Sequence, residues 1–281
     1  MTDEYSKKLE EKLKEKNAQL EEIKKKLLET EKKLNDLNRE LEQKVIERTV
    51  EVNRLLLHKT KFIDSLSHDL GTPLTPLIAL LPLIKEEVKD PKAKDLVDTC
   101  IRSAEYLKNL VNHAKELAEL STTELYLEKE NLLEIVNKLQ EKYDVVFRSY
   151  NINVKNNIDE NIYVKTEKSR LMEVLDHISS NAVNSMMDGG TLTFNARELE
   201  KKTGSFIDIS ISDTGVGLSR DQTSHLFDEF YKTDESRHKL DSIGLGLSIC
   251  KRIVELHGGR IWADSHGEGK GTIIHFIIPS G

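Results

Sequence analysis

Leu13, Leu20, Leu27, Leu34 and Leu41 recur at seven-residue intervals, and Leu9, Ile23 and Leu37 fill the interleaved position on alternate heptads. This spacing predicts the seam of a coiled coil, because a 3.5-residue period keeps one apolar edge turned toward a partner helix. Lys16, Thr30 and Lys44 occupy the other interleaved positions and weaken the seam. Residues 1–45 therefore read as a modest, parallel, two-stranded coiled coil with a surface of Glu and Lys. After Leu41 the pattern restarts at Val45, Val52, Leu55, Phe62 and Leu66, a four-residue insertion that locally unwinds a left-handed coil.

Glycine and proline are absent from residues 3–70, so the rod is expected to run directly into the next helix. There Ile63, Leu66, Leu70, Leu74, Leu77, Leu81 and Ile84 recur at three- and four-residue steps, the stripe of one buried helix face. Pro73, Pro76 and Pro82 lie within it; each removes a backbone donor and crowds the preceding turn, which predicts a bend just after residue 68. Lys89, Asp90 and Pro91 then turn the chain into a second helix with Leu96, Val97, Cys100, Ile101, Ala104, Leu107, Val111, Ala114 and Ala118 on one face. Residues 46–121 thus form an antiparallel helical hairpin. One hairpin cannot hide both stripes, so the expected assembly is a homodimer closing a four-helix bundle.

From about residue 125 the texture changes to short strands and amphipathic helices. Strand character falls at residues 152–154, 163–164, 191–196, 206–212, 260–263 and 272–278, and helix character at 131–147, 168–187 and 246–257. Elements mixed in this way predict an α+β sandwich over residues 122–281, a sheet with helices packed on one face.

Composition narrows the function. A 32% share of charged residues with 5% aromatics suits long exposed helices, and a net charge of -7 argues against general affinity for nucleic acid. Cys100 and Cys250 each fall in an apolar helical pattern and read as small core residues of a reduced, cytoplasmic protein, with no disulfide or metal framework. No run of 18 apolar residues exists, so no membrane span is expected, and the polar start is not a signal peptide. A membrane-anchored parent cut to its inner part would read the same.

Candidate chemistry begins at His68, which lies two residues from both Leu66 and Leu70. Two helical steps turn about 200°, so His68 points away from the stripe, beside the carboxylate of Asp69. An exposed imidazole with a pKa near ~6.5 is largely neutral at cellular pH and can act as a nucleophile. Taken alone it is ordinary surface. Asn181 and Asn184 come late on a helix, where a lone Asn is commonly a surface residue. Asp213-Thr-Gly-Val-Gly-Leu follows an apolar strand, and a carboxylate there could accept from an exocyclic amine while Gly215 and Gly217 let a flat ring approach the backbone. Gly244-Leu-Gly-Leu-Ser opens the last helix, whose free amides and positive dipole end suit a phosphate. Between them, Phe227, Phe230, Lys232, Arg237, His238 and Lys239 lie in a polar segment that reads either as a lid with two aromatic anchors or as a solvated loop.

In this order and spacing the motifs resemble the sensor histidine kinases of two-component systems, over residues from about 46 to 281. The resemblance implies that His68 is the phosphoacceptor, that Asp69 bonds its ring and assists as general base, and that Thr72 positions water when the site removes phosphate from a partner's aspartate. It implies that Asn181 holds Mg²⁺ against the phosphates of ATP, with Asn184 nearby. Asp213 would read the adenine amine, Gly215 and Gly217 would admit the ring, and Gly244 and Gly246 would cradle phosphate. Phe227 and Phe230 would anchor the lid, and Lys232 would reach the phosphates. The implied activity is that of a protein-histidine kinase: ATP-dependent phosphorylation of His68, then transfer to the receiver domain of a response regulator, with phosphatase activity on that regulator.

Three positions depart from the family pattern: His177 where a second Asn is usual, Gly71 in place of a common Arg, and Ser242 where a further glycine is common. His177 motivates an alternative, a weakly active or inactive nucleotide-sensing scaffold acting through its bundle. A third reading, an ATPase like the gyrase and chaperone relatives, lacks its glutamate base, since His177 stands there, and has no use for the His68 helix.

Overall fold

The computed structural model describes residues 2–201, 204–231 and 244–281, with the side chains of residues 2–11 and 201 excepted. Lys232, Arg237, His238, Lys239 and Ser242 lie outside the described residues. The chain divides into two units, Met1–Leu57 and His58–Gly281.

The first unit is helical throughout its described length, within α1 (Thr2–Glu87). Every heptad leucine from Leu13 to Leu41 is more than half exposed in the single chain. The flanks carry exposed pairs such as Glu22–Lys26 and Glu40–Lys44 at i,i+4 spacing, each worth a few tenths of a kcal/mol.

In the second unit α1 continues as one helix through Pro73, Pro76 and Pro82. The prolines withhold helical donors from the carbonyls four residues earlier, those of Asp69, Thr72 and Ile78. Asp90 caps the second helix, α2 (Pro91–Leu120), by accepting from the Lys92 amide, and Pro91 occupies its first turn, where a missing N–H costs nothing. The pairs Asp64–Lys115 (3.2 Å) and Lys85–Asp98 (2.5 Å), with Thr60 Oγ1 donating to the Ala118 carbonyl (3.2 Å), set the antiparallel register.

The hairpin divides the apolar stripe that the sequence reading treated as one. Leu74 (7% exposed) and Ala104 (5%) are buried between the two helices, with Ile63, Leu81, Val97 and Ile101 half-buried beside them. Leu66, Leu70, Leu77 and Ile84 of the same stripe stay open, as do Leu96 and Leu107. Cys100, expected in a core, is exposed, whereas Cys250 is fully buried.

The remaining elements are β1 (Glu128–Asn131), α3 (Leu132–Ser149), β2 (Ile152–Asn156), β3 (Tyr163–Thr166), α4 (Lys168–Ser185), β4 (Gly190–Lys201), β5 (Gly204–Asp213), α5 (Arg220–His225), α6 (Gly246–Leu256), β6 (Arg260–Asp264) and β7 (Ile273–Pro279). Five strands form a mixed sheet in the order β2-β4-β5-β7-β6, parallel only between β2 and β4. Ile207, Ile209, Ile211, Ile274, Phe276 and Ile278 alternate along β5 and β7 and are buried, so one face of the sheet is apolar. It packs with Leu139 of α3, Leu175 of α4 and Ile253 of α6 in one core. Leu120, the last residue of α2, is fully buried in that core and anchors the hairpin to the domain. The expected sandwich is therefore present. β3 leaves the large sheet to pair with β1, a strand the period-2 pattern did not signal because Glu128, Lys129, Glu130 and Asn131 carry no alternation.

Gly71 lies inside α1 on the side facing α2, and a Cβ there would meet nothing within 4 Å. Glycine costs a helix interior about 0.5–1 kcal/mol relative to alanine. Gly71→Ala is accordingly expected to stabilise the hairpin by about that amount, read as a higher melting temperature of the full chain by circular dichroism.

Candidate nucleotide and phosphoacceptor site

α4 sets the spacing of the nucleotide site. Its buried residues Leu171, Val174, Leu175, Ile178 and Ala182 follow three- and four-residue steps and bind the helix to the core. Along one flank of that face His177, Asn181 and Ser185 follow at four-residue steps, about 6 Å of rise each. Ser185 Oγ reaches Asp213 Oδ1 (3.3 Å). At the other end, a Cβ on Gly246 would lie 3.0 Å from His177 Nδ1, so the α6 N-terminus packs against that imidazole. Exposed Asn181 therefore sits midway between Asp213 and the start of α6, and Asn184 is exposed at the end of the helix.

Asp213 closes β5 and is half-buried. Its Oδ1 accepts from the Gly215 amide (2.8 Å) and the Thr272 amide (3.3 Å) as well as from Ser185. Burial raises its carboxyl above the usual carboxylate range, and the three donors oppose that shift. With all three bonds on Oδ1, Oδ2 is the oxygen left to receive an amine. The following turn needs its glycines. A Cβ on Gly215 would collide with Ser185, and Gly217 has φ +69° with its Cα against the Gly267 carbonyl. The turn is held by Gly269 donating to the Val216 carbonyl (2.6 Å) and Gly271 to the Gly215 carbonyl (3.1 Å).

Ser185, Gly271 and Thr272 were missed by sequence reasoning. The run Gly267-Glu-Gly-Lys-Gly-Thr is as glycine-rich as the stretches that were singled out, and was the signal available. The start of α6 carries no side-chain cap, so its first amides remain free donors. Gly244 lies against the Tyr231 carbonyl, 2.5 Å from the place of its Cβ. Of the two expected aromatic anchors, Phe227 packs on the core, and Phe230 is 59% exposed with φ +62°. Lys232 lies outside the described residues.

On the hairpin, the His68 side chain is 84% exposed, as its position opposite the stripe requires. Its Nδ1 lies 3.4 Å from Asp69 Oδ1. Thr72 Oγ1, one turn on and exposed, donates to the His68 carbonyl (2.9 Å). The structure thus places His68, Asp69 and Thr72 together on one helix, and Asn181, Asp213, Gly215, Gly217, Gly244 and Gly246 around α4.

A helical hairpin bearing an exposed histidine, followed by a mixed sheet whose helices frame a glycine-lined carboxylate, defines a phosphoacceptor module joined to an ATP-binding domain. Two family models match accordingly: the His Kinase A (phospho-acceptor) domain over residues 58–123, and the histidine kinase-, DNA gyrase B- and HSP90-like ATPase over residues 166–281. The chain belongs to the sensor histidine kinases of two-component systems. It is similar to the sensor histidine kinase WalK of Bacillus subtilis, 32% identical over 241 residues, covering 84% of this chain and 39% of the relative. WalK of Staphylococcus haemolyticus is 27% identical over 240 residues with the same coverage. The chain thus spans about two fifths of the length of these relatives. Its fold is that of full-length ShkA, solved with AMPPNP (TM-score 0.62, 23% identity, 79% of this chain and 46% of that one). It is also that of the histidine kinase ThkA, solved with the response regulator TrrA (TM-score 0.57, 22% identity, 79% and 61%). Among the described residues no helix is long and apolar enough to cross a membrane.

Asp213→Asn keeps the Oδ1 acceptor, removes the charge and puts an NH₂ in place of Oδ2. ATP affinity should fall about 10–100-fold, the worth of one charge-assisted hydrogen bond of about 1.5–3 kcal/mol. Because the folded carboxyl is raised, its favourable contribution holds below its unfolded pKa and is lost as pH rises through the folded value. The variant should therefore melt no lower than the parent at pH 8, which separates lost recognition from lost folding by calorimetry and thermal melts.

Proposed function

We propose that this chain phosphorylates itself on His68 from ATP and passes the phosphoryl group to an aspartate in the receiver domain of a response regulator. The observation that carries the reading is the exposed His68–Asp69 pair on a hairpin whose second helix is rooted in an ATP-binding domain. Three segments then divide the labour: a signalling coiled coil (residues 1–45), a dimerisation and phosphotransfer hairpin (46–121) and a catalytic domain (122–281). Use of ATP and of a receiver partner sets the site of action in the cytoplasm.

The nucleotide would lie along α4, its adenine amine on Asp213 and its phosphates toward Gly244, Gly246 and the free amides of α6. Asn181 would ligate Mg²⁺, which neutralises phosphate charge when bound; an exposed carboxamide between the two ends of the cradle fits that ion. A phosphoryl group moves through a loose transition state that asks for positioning more than covalent help. Asp69, accepting from Nδ1–H, keeps the lone pair on Nε2 and stabilises the cation that forms. The bond made is Nε2 to the γ-phosphorus; the bond broken is that phosphorus to the bridging oxygen, which leaves with ADP. In the reverse role, Thr72 would orient water against a receiver's acyl phosphate, and phosphatase activity follows.

Dimerisation completes the hairpin. Leu66, Leu70, Leu77 and Ile84 form an open stripe that water disfavours by roughly 1.5–3 kcal/mol per side chain, and a second copy presents the same stripe. The double variant Leu70→Glu/Leu77→Glu should sediment as a monomer where the parent sediments as a dimer; a dimeric variant would exclude this seam.

Incubation with radiolabelled ATP and Mg²⁺ should give a label lost in acid, stable in alkali and absent from His68→Ala. An unlabelled parent that still binds nucleotide would instead support the scaffold reading that His177 motivates.

A further inference from the structure

Beside the nucleotide cradle, α2 and α4 bring together four side chains to which the phosphoryl-transfer reading gives no chemical step. Glu116 of α2 and Glu173 and His177 of α4 are half-buried, and one ligand atom from each lies within 4.8 Å of the others. His113, one turn before Glu116, meets His177 edge-on with ring centroids 5.6 Å apart. Two atoms facing this group have no exposed surface and no hydrogen-bond partner: Nδ1 of His113 and Oε1 of Glu173. Buried acceptors without donors are costly and uncommon.

Arg170 donates to Glu173 Oε2 (2.8 Å) and Glu116 Oε1 (3.3 Å), and so holds both carboxylates while leaving Glu173 Oε1 unused. One guanidinium against two carboxylates leaves the group short of positive charge. Burial and the neighbouring Glu173 push the Glu116 carboxyl up to about 8. Burial also lowers both imidazoles below the ordinary histidine value, which keeps them neutral with a lone pair to offer. Glu119 and Asp176 add negative potential, and Lys142 opposes it.

We propose that His113, Glu116, Glu173 and His177 form a binding site for a borderline divalent transition metal, with Zn²⁺ as the ion it suits best. Two imidazole nitrogens and two carboxylate oxygens are ligands for a tetrahedral zinc centre, whereas Mg²⁺ and Ca²⁺ call for oxygen. Zinc bonds are about 2.0–2.2 Å; the ligand atoms of Glu116, Glu173 and His177 already lie within 4.8 Å of one another, and His113 borders them through its ring contact with His177.

The location gives the site a consequence. Lys115, next to Glu116, pairs with Asp64, one turn before His68, so the group stands across the hairpin at the height of the phosphoacceptor. It is formed by α2 on one side and by α4, whose His177 packs on Gly246, on the other. Bound zinc fastens the ATP-binding domain to the hairpin, and holds it from the movement that brings phosphate to His68. That consequence rests on the function proposed above; the site itself does not.

The test is a calorimetric titration of the chelator-treated full chain with ZnCl₂ in millimolar Mg²⁺. One ion per chain is expected at micromolar affinity or better, weakened at least about tenfold in Glu116→Gln and in His113→Gln. Glu116→Gln can still donate to Glu173, so the variant should fold, and its melting curve shows whether it does. Zinc should slow amide exchange in α2 and α4 of the parent and not of the variants. His68→Ala should bind zinc as the parent does. Zinc binding unchanged in both cluster variants, lost in His68→Ala, or absent at micromolar concentration in the parent would overturn the assignment.

Discussion

Burial of Leu171, Val174, Leu175, Ile178 and Ala182 sets the rotation of α4 about its axis, and the polar groups between α4 and Asp213, α6 and α2 depend on that rotation. Once the apolar face of a helix is committed its rotation is fixed, so the residues on its flanks have no choice of direction. His177, Asn181 and Ser185 consequently face Gly246, the open cradle and Asp213 in turn. The same rotation carries Glu173 and Arg170 toward α2, where they meet Glu116. One packing face thus serves a ligand site on one flank and a contact with the hairpin on the other.

The two carboxylates at these flanks show how burial and bonding compete. Both Asp213 and Glu116 are raised by desolvation. Asp213 has three donors on a single oxygen, two of them backbone amides, which leaves the second oxygen for a ligand. Glu116 has an arginine at 3.3 Å and another carboxylate beside it, so its environment asks for a further cation. Two raised carboxyls thus differ in what surrounds them: backbone donors in one case, a guanidinium and a second acid in the other.

The hairpin illustrates a division of apolar surface between folding and assembly. Leu74 and Ala104 are consumed within the chain, while Leu66, Leu70, Leu77 and Ile84 stay open. Surface of this extent on a charged, low-aromatic chain is the mark of an interface. His68 lies off both seams, and its 84% exposure follows from that.

Elements whose signal is local were legible in the sequence. The heptads of the rod, the turn at Asp90-Pro91, the alternation along β5 and β7, and the exposed position of His68 each follow from the period of a single helix or strand, which neighbouring residues specify. Features made by contacts between distant segments were not. β1 lacks alternation and exists because β3 pairs with it; Gly271 and Thr272 matter because the sheet brings them to Asp213. The meeting of His113 and Glu116 with Glu173 and His177 has no local signature at all, since more than 50 residues separate the two pairs. The sequence by itself determined which faces are apolar and which residues lie opposite them. Only the tertiary structure decided which of those faces meet, because long-range packing, and not periodicity, selects the partners.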